Sequence, residues 1–410
     1  MSLSRERRWG LARFRQTFWG LSLGAAWAAS VGGTGCASLI GLEDRTYDAD
    51  GSPENAEDSG SSSAMGPLPE ASDDGVPPIA NGDAGCPPTG PCALAPYQTA
   101  PWQVAADDSN VYWTEFGTTS GSGDGSVKGC AISGCSSPFV YAPSLNNPRG
   151  LAIDSQNIYW GTNSIANDGG VWSCPLAGCS GPPRRLASAN SPYGIAVDAT
   201  YVYWVDEVDN SVHRVAKSGA SADVVLSDGG SLADGAANPL FDVGQIAVDT
   251  AFVYVNDQNA GGLFRVPITG GDPELFYAGY DVGDWPVAVD ATSVYFGETH
   301  GALGYVLRLD KSVTNAAGTQ LATGLKRPWG IALDHAGEVY WVDYGAVGND
   351  GLVGKVATTG GGQVTLASGL PSPSAAAVNG QFMFWADIGA FDSTANQYVV
   401  GTGYIGRVAK

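Results

Sequence analysis

Asp198-Ala-Thr-Tyr-Val-Tyr-Trp204 has close relatives along this chain, among them Asp154-Ser-Gln-Asn-Ile-Tyr-Trp160 and Asp334-His-Ala-Gly-Glu-Val-Tyr-Trp341. The aspartate recurs as Asp107, Asp154, Asp198, Asp249, Asp290 and Asp334, with Asn379 in a seventh copy, at spacings of 41 to 51 residues. That period belongs to a β-propeller blade, a unit too small to bury its apolar face unless neighbours stack on it. Within the third copy, Ile195–Asp198, Val202–Asp206, Asn210–Ala216 and Ala222–Leu226 are rich in valine, isoleucine and aromatic residues and are broken by Gly- and Ser-rich turns. Four such runs predict a four-stranded antiparallel blade.

Seven first strands are legible: Val104–Asp107, Leu151–Asp154, Ile195–Asp198, Ile246–Asp249, Val287–Asp290, Ile331–Asp334 and Ala375–Asn379. The seventh copy has only three runs. Leu94 to Asp107 matches Leu186 to Asp198, so a lone fourth strand precedes the first copy. The expected fold is all-β: a seven-bladed propeller of four-stranded antiparallel blades over residues 91–410. One N-terminal strand would join three C-terminal strands and so remove two open sheet edges. Six blades with a deviant extra unit is the competing count. Asp228 to Asp242 is longer than its equivalents and reads as a surface loop.

Residues 1–35 read as an export signal. Five arginines lie between Arg5 and Arg15, Phe18 to Val31 is uncharged and largely apolar or small, and Gly33-Thr-Gly-Cys36 follows. Residues 36–90 read as a tether, because positions 37–90 hold eleven acidic residues against Arg45 and are otherwise rich in Gly, Ser, Pro and Ala. Such a stretch cannot bury enough apolar area to offset its ordering entropy. Apart from Cys36, the cysteines fall as near neighbours: Cys86/Cys92, Cys130/Cys135 and Cys174/Cys179. Local disulfides are the simplest pairing and suit an exported chain, although converging cysteines could in principle hold zinc.

The repeated residues have bland and functional readings. Trp113, Trp160, Trp204, Trp341 and Trp385 fall at one repeat position, with Val255 and Phe296 in the other copies. Large rings fill the wedge between blades, one member of each Tyr-Trp pair facing the interface; an aromatic carbohydrate platform is the alternative. The repeated aspartates suit turn capping, and a ring of carboxylates could also hold Ca2+ or another divalent cation. A second acidic set, Asp206, Asp257, Asp343 and Asp387, follows the second strands.

Val202-Tyr-Trp-Val-Asp206 and Met383-Phe-Trp-Ala-Asp387 resemble the Y-W-T-D repeats of lipoprotein-receptor propellers. Pro192-Tyr-Gly-Ile-Ala-Val-Asp198 and Pro328-Trp-Gly-Ile-Ala-Leu-Asp334 resemble NHL-type and streptogramin-lyase-like repeats. The first resemblance implies protein binding through a face of the disk. The second admits a lactonase- or lyase-like enzyme, with an acid/base pair in His300 and His335, or a metal site in Glu298, Asp334 and Asn379. Cys36 after small residues resembles the lipidated cysteine of bacterial lipoproteins. That resemblance implies a lipid on Cys36, export to the cell envelope, and an outer-membrane lipoprotein held to the membrane by its anchor alone.

The chain carries 41 acidic and 20 basic residues, a net charge of −21, which opposes binding to nucleic acid. The expected function is a monomeric, noncatalytic, envelope-anchored propeller that binds a protein or glycan partner without a cofactor. The alternative is the lactonase- or lyase-like enzyme with a polar or metal site at one end of the channel.

Overall fold

The computed structural model describes residues 86–87, 89–163, 169–228, 240, 243–257, 262–279, 286–314, 317–346 and 348–410. The export signal, Cys36, the tether up to residue 85 and most of the 228–242 loop lie outside these residues. No helix among the described residues is long and apolar enough to cross a membrane.

Seven four-stranded antiparallel sheets form among the described residues. Blade one begins at Pro101–Ala106, blade two at Leu151–Ile153, blade three at Pro192–Val197 and blade four at Val243–Val248. Blades five, six and seven begin at Val287–Val289, Pro328–Leu333 and Pro373–Val378. Each of the first six blades takes its four strands in chain order. Blade seven is composite: Pro373–Val378, Phe382–Asp387 and Gly403–Ala409 are joined by Cys92–Gln98, which pairs antiparallel with Gly403–Ala409. The lone strand that precedes the first copy therefore closes the ring, which seals both otherwise open edges.

Both members of the Tyr-Trp pair pack against neighbouring blades, not one as the sequence suggests. Adjacent strand residues point to opposite faces, and every blade has a neighbour on each face. Tyr112 of blade one packs with Trp160 of blade two, and Tyr159 with Trp204 of blade three. Tyr254 meets Phe296, Tyr295 meets Trp341, and Tyr340 meets Trp385. Phe384 of blade seven completes the circuit against Trp113 of blade one. Burying one such ring is worth about 2–3 kcal/mol, so the repeated pair supplies much of the cohesion between blades.

Each tyrosine also fixes its own blade. Asp198 Oδ1 accepts the N–H groups of Thr200 and Tyr201, and Oδ2 accepts the Tyr203 hydroxyl at 2.7 Å. The same triple contact recurs at Asp107/Tyr112, Asp154/Tyr159, Asp249/Tyr254 and Asp290/Tyr295. A carboxylate suits this position because one oxygen caps the turn and the other stays available to the phenol.

Lysines after the third strand of alternate blades reach back to the preceding blade. Lys217 approaches Asp154 at 2.6 Å, Lys311 approaches Asp249 at 2.8 Å, and Lys410 approaches Asp334 at 2.9 Å. Blades one and two carry the Cys130–Cys135 and Cys174–Cys179 disulfides at the same turn, and Cys86–Cys92 braces the start of the closing strand.

Candidate functional site at the channel mouth

The first strands line the axis, and their register defines two ends. At one end stand the residues that open each first strand, together with those that close each second strand. At the other end lies the turn between first and second strands, with the repeated aspartates.

Strand pairing identifies the equivalent residues at the first end. Val104, Leu151, Ile195, Ile331 and Ala376 each pair with the repeated tryptophan of the second strand. Two positions earlier stand Trp102, Arg149, Tyr193, Trp329 and Ser374. Trp102, Tyr193, Trp329 and Ser374 line a small open depression, joined by Gln103, Gln245 and Ile388. Gln103 Nε2 donates to Gln245 Oε1 at 3.3 Å. These residues belong to blades one and four, three blades apart in a ring of seven, so their contact spans the axis and forms a polar floor. Small residues at this level let the inner strands converge: a Cβ on Gly194 would stand 2.5 Å from Gly244 O, and one on Gly330 would stand 2.8 Å from Ala376 N.

Arg149 supports the wall from behind. Its guanidinium carbon lies 5.7 Å from the Trp102 ring, 5.5 Å from Phe116 and 5.1 Å from Tyr193, within cation–π range. Its Nη1 donates to both Glu207 oxygens, at 2.9 and 2.8 Å. Ser191 Oγ donates to Glu207 as well, at 2.8 Å. Arg149 is 2% exposed, and its charge is answered at once by Glu207. Phe116 extends the aromatic wall to Tyr398, which belongs to a short hairpin of Phe391–Asp392 and Gln397–Tyr398 in blade seven. Trp329 is braced by Tyr344, with ring centroids 4.2 Å apart.

The second acidic set holds the crossovers between blades. Asp206 accepts the N–H groups of Asn190 and Ser191, and Asp343 those of Lys326 and Arg327. Asp387 accepts from Ser372 and Gly389. Complete burial pushes the Asp387 carboxyl up to about 6, and burial also raises Asp343. By strand register, Glu115 and Glu298 belong to this set too.

The residues proposed for catalysis or metal binding do not converge. His300 ends the second strand of blade five, at the mouth, whereas His335 sits in the turn beyond Leu333, at the other end of blade six. The six-residue strand Pro328–Leu333 lies between these levels, about 20 Å of extended chain. Glu298 is likewise at the mouth, while Asp334 and Asn379 are in turns at the far end. There Lys410 Nζ meets both Asp334 Oδ2 and the Asn379 carbonyl, so an ammonium group occupies the position considered for a cation. No cluster of three His, Cys, Asp or Glu suited to a metal occurs among the described residues. Instead, Glu298 meets His300 Nε2 at 3.1 Å and accepts the Tyr277 hydroxyl at 3.0 Å. His213, on a third strand, stacks on Trp204.

No family model matches this chain, and no curated protein does. Many solved structures share its architecture, among them the following two. A streptogramin B lyase aligns over 76% of this chain and 93% of that one, with a TM-score of 0.55 and 14% identity. The WD40 β-propeller domain of Doa1 aligns over 78% of this chain and 97% of that domain, with a TM-score of 0.55 and 15% identity. At these identities the likeness is one of fold.

Proposed function

We propose that this chain is a ligand-binding propeller that takes a small, ring-shaped molecule at the mouth of its central channel. The observation that carries this reading is the cup of Trp102, Tyr193 and Trp329 above the Gln103–Gln245 floor. Ligand sites combine apolar walls with a few converging polar groups, and the cup sets three aromatic rings around two side-chain amides. The partner would thus be read at the channel end, by a preformed pocket, rather than by the outer rim. Export by residues 1–35 and lipidation of Cys36 belong to the same proposal and would hold the propeller at the cell envelope.

The full-length protein and a Trp329→Ala variant, exposed in parallel to envelope extract, test this reading by mass spectrometry of the small molecules retained. Retention by the parent protein and loss in the variant is the expected result. Identical profiles would remove the mouth from the function.

A second reading, lyase-like turnover, is favoured by the Glu298–His300 contact at the same end of the channel and by the shared fold with a streptogramin B lyase. Here His300 would move a proton, oriented by the buried Glu298. His335, Asp334 and Asn379 take no part. Conversion of a retained compound by the parent protein, abolished in His300→Asn, would select this reading over simple binding.

A further inference from the structure

We infer that the cup accepts the ring of an uncharged sugar, an inference that rests on the mouth being the ligand site. Two features of the cup carry it.

The first is charge. None of the residues that line the cup is charged. The nearby guanidinium of Arg149 stands behind the rings and is neutralised by Glu207. An anionic ligand would give up its hydration without gaining a cation, within a chain whose net charge is −21. A cationic ligand would find no carboxylate among the lining residues, because Glu207 is held behind them by Arg149.

The second is the division of surface. Trp102, Tyr193 and Trp329 come from blades one, three and six, so rings face the cup from several directions around the axis. A pyranose offers apolar C–H faces to such rings and a belt of hydroxyls to its surroundings. Gln103 and Gln245 supply both amide donors and amide acceptors at the floor, which matches hydroxyls that donate and accept. A flat aromatic ligand would use the rings and leave the half-buried amides covered but poorly matched, at a cost.

Isothermal titration calorimetry on the full-length protein tests the inference. The probes are glucose, galactose, mannose and N-acetylglucosamine, their trisaccharides, trigalacturonate, and nicotinamide as a flat aromatic amide. The expected result is saturable binding of at least one neutral sugar, with trigalacturonate and nicotinamide at least tenfold weaker. Trp329→Ala and Gln245→Leu should each weaken that sugar at least tenfold, while Trp329→Phe, which keeps a ring, should cost less than threefold. A trisaccharide that outbinds its monosaccharide identifies a glycan end as the ligand; equal affinity identifies the free sugar. Failure of every neutral sugar to bind, or preference for either control, overturns the inference. If extract still yields a compound whose retention needs Trp329, the mouth stands as a site and only its sugar assignment falls. If a sugar binds equally to the parent, Trp329→Ala and Gln245→Leu proteins, both readings fall.

Discussion

Asn379 Nδ2 donates to the backbone carbonyl of Asp107 at 2.9 Å, across the seam where blade seven meets blade one. Six blades carry aspartate at this repeat position, and the tyrosine of each puts its hydroxyl toward the second carboxylate oxygen. In blade seven the tyrosine is replaced by Phe384, which has no hydroxyl, and the aspartate by asparagine. The two exceptions fit one another: Asn379 Oδ1 still caps the turn through Gln381 and Phe382, and the amide nitrogen turns to the neighbouring blade. Asn379→Asp would set a carboxylate against a carbonyl oxygen. A loss of about 1–3 kcal/mol in urea unfolding is expected, with most of it recovered as acid protonates the new carboxyl.

Two aspartates should mark separate acid ranges. Burial raises the Asp154 carboxyl, but Lys217, the N–H groups of Gln156 and Asn157, and the Tyr159 hydroxyl outweigh it and hold it at about 2. A depressed carboxylate stabilises the fold above its unfolded value near 4 and loses that contribution as pH falls toward 2. Asp387 has the opposite sign. Raised to about 6, it favours the fold below pH 4, and the contribution fades as pH rises through 6. Asp387→Asn should flatten the stability profile between pH 4 and 6, by up to about 3 kcal/mol. Lys217→Met should flatten it between pH 4 and 2. Urea midpoints measured across pH separate the two effects.

Removing Arg149 strands Glu207 in a half-buried wall. Arg149→Met should therefore cost about 3–5 kcal/mol, and adding Glu207→Gln should return part of it. A double-mutant cycle in urea reads the coupling directly. Additive losses would show that the guanidinium works through its stacking on Trp102 and Tyr193 rather than through the ion pair.

Deleting residues 86–98 removes the strand that closes the ring. The edge of Gly403–Ala409 would then be open for pairing with another chain. Concentration-dependent association in sedimentation velocity is expected, with a melting midpoint lower by more than about 10 °C. A Cys86→Ser/Cys92→Ser variant keeps the strand, and should remain monomeric with a loss of about 2 kcal/mol.

The blades are legible because an acidic or amide residue and a large apolar residue six or seven positions after it recur in every copy, so the closing strand stands out as one match too many before the first copy. The mouth is not legible for the converse reason. Trp102, Arg149, Tyr193, Trp329 and Ser374 share a register but not a residue type, and they become neighbours only when the ring closes. The motif Pro-x-Gly-Ile-Ala marks the place, yet the residue that matters is its variable one. His300 and His335 mislead in the opposite way. They belong to adjacent blades, but one ends a second strand and the other follows a first strand, and antiparallel strands send those points to opposite ends.

The pairing of Cys92–Gln98 with Gly403–Ala409 also orders events during synthesis. The strand made first among the blades is the last to find its partner, some 300 residues later. Until then it waits, while six blades can form from local hairpins. Contacts so distant in sequence form slowly. Completion of the domain is therefore reserved for a chain that has emerged whole, and a chain truncated before Gly403 would present two unmated edges to quality control.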